Sequence, residues 1–408
     1  MQLETLIRKT LDVKDHRVAA VEGDTQHLEI TLNRIRRRRL PCSICGRRAK
    51  VYDTLRVRRW RHVALWGIPA TLICAPRRVE CPVCGVKEEE IPWSFGKSPL
   101  SRPLLIQLAT WSRLLALSTV GQLFRCSTAA VTRAVQYAVA YGLQNRELGE
   151  LLYLGIDEIA RGQGQNYQTM VYDLVSKRLL HCAQGRSADS LRAFFRELGP
   201  ARCAALEGIC VDMWEPYVKV IKEFCPQAIL VFDKFHLVRH LLEAVDKVRR
   251  EEVRKLAKTQ PKLLVGTKYM WLKNPWNLTR QQSVGLAALL TLNLGINRAY
   301  LLKEAFRHFW NYRSRTWAEK YLRQWCWWAT HSRLKPLRDF AWMLKRHWYN
   351  ILTYFDVRVN NGITEALNNV AKKVIRRAHG FRTVKWLTAI LFHTMGQLPL
   401  PDFTHRFW

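Results

Sequence analysis

Residues 208–217 read GICVDMWEPY, a short apolar run that ends in a single acid, Asp212, followed by an aromatic and the helix-starting pair Glu215-Pro216. Four apolar residues bounded in this way fit a buried strand, and Pro at the first turn fits the start of a helix. An acid at such a junction either caps the next helix or holds a cation. Its surroundings in the chain bear on that choice.

Upstream, residues 152–156 form an apolar run ending in Asp157, and residues 166–174 and 177–182 read as two further strands joined by a turn at Val175-Ser176. Residues 188–198 have helical periodicity, residues 209–211 end in Asp212, and residues 228–232 end in Asp233. Three strands, helix, strand, helix, strand is the order of a ribonuclease H-like fold. In such a sheet the first and fourth strands are neighbours, so Asp157 and Asp212 converge. The Gly-Gln-Gly at 162–164 lies between strands and reads as a hairpin turn, not a dinucleotide loop. Glu158 points to the opposite strand face from Asp157. Asp233 is a rival to Asp212, and with His236 three residues on it reads as a brace for the site by a carboxylate to imidazole hydrogen bond.

A helix over residues 363–378 carries Glu365, Asn368, Lys372 and Arg376 on one face. Glu365 then completes a three-carboxylate site with Asp157 and Asp212. Oxygen ligands suit Mg²⁺ or Mn²⁺, and two such ions can activate an attacking oxygen and stabilise the leaving one in phosphoryl transfer.

The 408 residues carry a formal charge of +33, which points to a polyanionic partner, and nucleic acid is the commonest. The longest apolar stretch, residues 284–296, is too short to span a bilayer, and the start lacks a secretion signal, so a cytoplasmic, nucleoid-associated protein is expected. Within residues 1–40, a short helix precedes a hairpin in which Leu28, Ile30 and Leu32 alternate with polar neighbours, and the hairpin ends in a basic run, Arg34 and Arg36, Arg37, Arg38 and Arg39. Such a run is usually a solvated face; beside a metal site it is a candidate for phosphate contact.

Cys42 and Cys45, then Cys81 and Cys84, form two CxxC-Gly knuckles. Four thiolates suit structural, tetrahedral Zn²⁺, and the long spacing between the pairs implies an inserted hairpin around residues 60–73. Cys74 and His62 read as packing residues. Residues 117–125, a turn at 126–128 and residues 129–139 have the length and order of a helix-turn-helix, with Thr128, Thr132, Arg133 and Gln136 facing a DNA groove; a plain helical hairpin fits the pattern equally well. Nine of the sixteen tryptophans lie between 271 and 348 in a mostly helical stretch with a basic balance. Most are expected in the core, and one or two are left to stack on a base.

The knuckles, LGIDEI around Asp157, VDMWEPY around Asp212, VFDKFHLVRH from Val231, the Trp-rich segment from Arg323 and NGITEALNNVAKKVIRRAHGFR from Asn361 together resemble the DDE transposases of the ISL-three insertion-sequence type. The resemblance implies a multi-domain α/β chain: an N-terminal hairpin region (1–40), a zinc ribbon (41–95), a helix-turn-helix (100–145), and a ribonuclease H-like catalytic core (150–258 and 351–408) interrupted by an all-helical insertion (259–350). It implies the triad Asp157, Asp212 and Glu365, with Mg²⁺ or Mn²⁺, and Lys372, seven positions after the last acid, as a basic residue of the site. It implies a dimer or larger assembly that binds terminal inverted repeats, cuts a strand with an activated water and joins the freed 3′-hydroxyl to target DNA. Trp214, Lys372 and Arg376 are the further candidates for DNA contact. Two other readings stay open: a catalytically silent DNA-binding protein that keeps ribbon and helix-turn-helix, and a structure-selective nuclease.

Overall fold

The computed structural model describes residues 5, 16–35, 39–160, 166–357, 362–378, 381 and 383–402, which form two compact units, residues 1–147 with 373–408 and residues 148–372. The expected N-terminal helix, the glycines at 162–164 and Arg36, Arg37 and Arg38 lie outside the described residues.

In the first unit, β1 (His16–Gly23) and β2 (Leu28–Arg34) form the hairpin, and β2 continues in parallel to β6 (Ile68–Cys74), which pairs with β5 (Arg58–Leu65). Ile30, Leu32, Trp60 and Leu72 fill one side of this sheet. The two-residue period that buries Ile30 and Leu32 also buries Arg34, whose guanidinium meets Glu89 at 2.9 Å. Arg34 is therefore not part of a solvated basic face: its charge is buried, and the buried Glu89 carboxylate offsets the cost of taking it out of water. Arg39 is exposed, on β3 (Arg39–Pro41).

A second sheet, β3, β4 (Arg48–Thr54), β7 (Arg77–Cys81) and β8 (Gly85–Glu88), carries the cysteine knuckles, and the β5–β6 hairpin is the insertion between them. His62 Nδ1 lies 2.8 Å from the Ser101 hydroxyl and Cys74 is in the core, so both pack rather than bind metal. Three helices follow, Arg102–Ser112, Leu117–Leu123 and Thr128–Gln144. Ser127 caps the third, its hydroxyl accepting from the Ala130 amide at 3.2 Å. Arg61, from β5, donates to the Phe124 and Arg125 carbonyls and so anchors the turn between the second and third helices. The late helix Val384–Met395 packs on Thr128–Gln144, and His393 Nε2 donates to the Ala109 carbonyl at 2.6 Å. These contacts group residues 373–408 with the first unit, where the sequence reading joined 351–408 to the later core.

The second unit is built on a five-stranded sheet in the order β11 (Arg178–Gln184), β10 (Tyr167–Asp173), β9 (Tyr153–Ala160), β12 (Gly208–Val211), β13 (Ile229–Phe232). The first three strands are antiparallel, and β9, β12 and β13 are parallel. Asp157 does not end its strand as expected. The parallel partner β12 stops at Val211, but the antiparallel partner runs on to pair Tyr167 with Ala160, which carries β9 three residues past the acid. Helices Ala188–Leu198 and Glu215–Phe224 place Phe194, Phe195, Tyr217 and Ile221 in the sheet's core.

The long helix Lys234–Leu256 leads to the helical insertion, in which Gly295–Phe309, Arg315–His331 and Lys335–Arg346 pack round Phe306, Phe309, Trp325 and Phe340. Each such ring contributes roughly 1.5–3 kcal/mol by burial. The apolar stretch at 284–296 is split between Arg280–Leu290 and Gly295–Phe309, with a bend of 119° between them, and among the described residues no single helix is long and apolar enough to cross a membrane. The chain returns to the sheet at Thr353, whose hydroxyl donates to the Leu230 carbonyl of β13 at 2.7 Å.

Candidate functional site

Register brings the acids together. Cys210 of β12 stands opposite Gly155 of β9 and opposite Val231 of β13. Two residues further along each chain come Asp157, Asp212 and Asp233, so three carboxylates form one row across three adjacent parallel strands. The helix Gly362–Arg377 reaches this row because β9 has Gly155 beneath it: a Cβ there would sit 2.4 Å from the Thr364 hydroxyl. One turn on, Asn368 Nδ2 donates to Asp157 Oδ2 at 2.6 Å, and the buried Tyr172 hydroxyl donates to Asn368 Oδ1 at 2.8 Å. Glu365 and Lys372 are exposed and line, with Asp157, Asp233, His236 and Asn368, a cavity of about 440 Å³. Arg376 is exposed one turn beyond Lys372.

The two readings of Asp212 separate at this point. The helix Glu215–Phe224 has Trp214 at its cap and no side-chain capping bond, so Asp212 caps nothing there. Its Oδ1 accepts from the Met213 amide at 2.6 Å and lies 3.1 Å from His236 Nδ1. Asp233 is the capping acid: its Oδ1 accepts from the Phe235 amide at 2.7 Å at the start of Lys234–Leu256. It also stands 3.7 Å from His236 Nδ1, making His236 a shared partner that lies nearer to Asp212.

Burial raises the pKa of Asp157 above the usual carboxylate value, against the pull of His236 and the Glu158 amide. Burial also acts on Asp212, but the hydrogen bond and charge of His236, the Met213 amide and Arg186 outweigh it and hold this acid below its ordinary value. His236 shows the reciprocal balance: burial pushes it down, and Asp212, Asp233 and Asp157 together lift it above its free value. Burial thus sets the direction at Asp157, while at Asp212 the neighbouring His236 and Arg186 override it. Among the described residues only the four cysteines form a group whose ligand atoms all lie within 4.8 Å of one another; the carboxylates of the row and Glu365 do not close to that distance.

Glu158, expected on the other strand face, also lines the cavity; it is bonded to Tyr217, whose hydroxyl lies 2.7 Å from that of Thr169. Arg186 was not singled out in the sequence. It meets Glu158 at 3.0 Å and Asp212 at 3.3 Å, and its guanidinium lies 4.7 Å from the centroid of Trp214. With Tyr217 against the Trp214 ring edge as well, that indole is half-buried and partly covered.

The four sulfurs of Cys42, Cys45, Cys81 and Cys84 lie within 4.8 Å of one another. Gly46 and Gly85 take positive φ (+70° and +71°), which closes each knuckle and is open to few residues other than glycine. Amides of Val83 and Cys84 draw Cys81 down to about 7, and its hydrogen bond with Cys45 pushes Cys84 up to about 12. Four thiols this close cannot all ionise without a cation, and tetrahedral sulfur suits zinc. In the three-helix segment, Thr128 and Arg133 are exposed, and Thr132 and Gln136 are half-buried. Thr132 bonds back to the Thr128 carbonyl at 2.6 Å, while Arg133 and Gln136 line a groove of about 540 Å³ against residues 95–99.

Residues 154–391 match a family described as transposases, of the DDE, ISL-three type. The chain is 30% identical over 348 residues to the transposase for insertion sequence element IS1001 of Bordetella parapertussis, spanning 84% of this chain and 85% of that one. It is 30% identical over 381 residues to the transposase for insertion sequence element IS1557 of Mycobacterium tuberculosis strain H37Rv, spanning 87% and 85%.

Proposed function

The chain belongs to the DDE transposases of the ISL-three type, and we propose that it binds the terminal inverted repeats of its own insertion sequence and catalyses metal-dependent strand cleavage and strand transfer. The observation that carries this reading is the row Asp157, Asp212 and Asp233 beside a cavity whose wall includes Glu365 and Lys372. The strand order, three antiparallel strands followed by two parallel ones, supports a ribonuclease H-like core interrupted by a helical insertion at residues 259–350.

Asp157, Asp212 and Glu365 are the proposed ligands. Two divalent ions bound there supply an activated attacking oxygen and charge stabilisation at the leaving oxygen. The chain's own groups prepare the site. Asn368 fixes the Asp157 carboxylate, His236 and the Met213 amide fix that of Asp212, and Asp233 holds the helix that carries His236. Lys372, on the wall of the cavity, meets a phosphate of the strand, and Arg376 and Trp214 are each proposed as further DNA contacts. Arg186, paired with Asp212, offsets its charge before the ions bind.

Structural zinc on Cys42, Cys45, Cys81 and Cys84 shapes the ribbon, and Thr128, Thr132, Arg133 and Gln136 of the helix-turn-helix, with Arg39 and its neighbours, read or grip the repeats. A dimer or larger assembly pairs the two ends. Incubating the protein with labelled ends of its own element and Mg²⁺ tests the proposal. Nicking followed by joining is expected; tight binding without nicking assigns a silent DNA-binding protein, and cutting of branched DNA irrespective of the ends assigns a structure-selective nuclease.

A further inference from the structure

Of the nine tryptophans between residues 271 and 348, four stand in solvent: Trp276, Trp317, Trp327 and Trp342 are 65, 60, 58 and 51% exposed. An indole in water gains nothing from burial, so the packing of the insertion does not explain them. Each is faced by a basic group. Arg307 lies 4.4 Å over Trp276, Lys320 5.3 Å over Trp317, Lys345 4.4 Å over Trp342, and the His331 ring stacks on Trp327 at 4.4 Å.

Two of them share a helix face. On Arg315–His331 the exposed residues Trp317, Lys320, Gln324, Trp327 and His331 recur every three or four positions, a stripe about 21 Å long. Its end borders a groove of about 420 Å³, in which Arg323, Trp327, Lys345 and Trp348 converge. Arg323 lies 5.3 Å over the Trp348 ring, and Glu319 accepts from both the Trp348 Nε1 (3.3 Å) and Arg323, so one carboxylate sets the indole and the guanidinium together. Between residues 303 and 346 the chain carries eleven Lys and Arg against three acids, so the groove sits in a positive field.

We propose that this groove binds an unpaired nucleotide of a DNA strand, with the base stacked on Trp327 and the flanking phosphates on Arg323 and Lys345. The inference rests on the transposase reading and adds a single-strand site to it. A duplex offers phosphates but hides the faces of its bases, whereas an unpaired base offers both, and stacking tolerates any base. His331 covers the Trp327 face in the free protein and yields it to the base.

The test is fluorescence anisotropy of the full-length protein with a labelled thymidine oligonucleotide of about a dozen residues, and separately with a blunt duplex of the element's end. Trp327→Ala should weaken the single strand about fivefold to 150-fold, the range of base–aromatic stacking, and leave the duplex within about twofold. Trp327→Phe should restore most of the loss, and Arg323→Ala should lower the salt dependence of single-strand binding. Equal single-strand affinity in wild type and Trp327→Ala, with the duplex still bound, overturns the groove and leaves the transposase reading standing. Failure of the wild type to cut its own ends, with the Trp327→Ala loss intact, overturns the parent reading instead.

Discussion

The hydrogen-bond relay from Tyr172 through Asn368 to Asp157 makes a sign-changing prediction. Asn368 is 4% exposed and Tyr172 is fully buried, so neither group can turn to water. Replacing Asn368→Leu keeps the branched, four-heavy-atom shape of the side chain and removes both bonds. An orphaned buried hydroxyl costs about 1–3 kcal/mol, and loss of a bond to a carboxylate about 1.5–3, so the variant should lose about 2.5–6 kcal/mol. For a unit of this size that is about 5–24 °C in Tm.

Tyr172→Phe alone should destabilise, by about 1 kcal/mol, because Asn368 Oδ1 loses its donor. In the Asn368→Leu background the same change should stabilise by about 1–3 kcal/mol, because it deletes the orphan. Denaturant and thermal unfolding of the four proteins without added divalent ion, as a double-mutant cycle, reads the coupling. If Tyr172→Phe destabilises equally in both backgrounds, the relay is not what holds Asp157.

His393, buried with its Nε2 bonded to the Ala109 carbonyl, is pushed by burial from 6.5 to about 4. Because the fold favours the neutral ring, this stability is full above pH 6.5 and drains away as pH falls towards about 4, by about 3 kcal/mol in all; His393→Gln should flatten the unfolding free energy across that window, and an unchanged slope refutes the assignment. At the knuckles, one zinc per chain is expected by mass spectrometry under native conditions, lost on chelation with a fall in Tm and abolished in Cys45→Ser with Cys84→Ser; a double variant that keeps its zinc contradicts the four-sulfur site.

The parts legible in the sequence were those whose chemistry is local. Two knuckles with their glycines, and the apolar runs ahead of Asp157, Asp212 and Asp233, each carry their signal within a few residues. The capping question at Asp212 was left open by the sequence and decided by where the helices begin: Asp233 directly precedes the first helical residue, Lys234, while Asp212 stands three before Glu215. Arg34 sits on the period-two face of Ile30 and Leu32, so its burial was encoded although its charge argued otherwise.

Other features depend on distant partners. Arg186 follows a strand whose end meets Asp212 only in the folded sheet. The tryptophans mislead by composition: Trp325 and Trp327 lie about 200° apart on one helix, so burying the first turns the second outward, and four of the nine emerge where one or two were expected.

The central claim is that Asp157, Asp212 and Glu365 act as one metal-binding unit. Its most direct test is the rate of strand cleavage on labelled element ends with Mg²⁺ by Asp157→Asn, Asp212→Asn and Glu365→Gln, each first shown to bind the same DNA. Losing a ligand forfeits several kcal/mol of charge stabilisation, so each variant should bind normally and cleave more than about 100-fold more slowly. Full cleavage by Asp212→Asn would contradict the account.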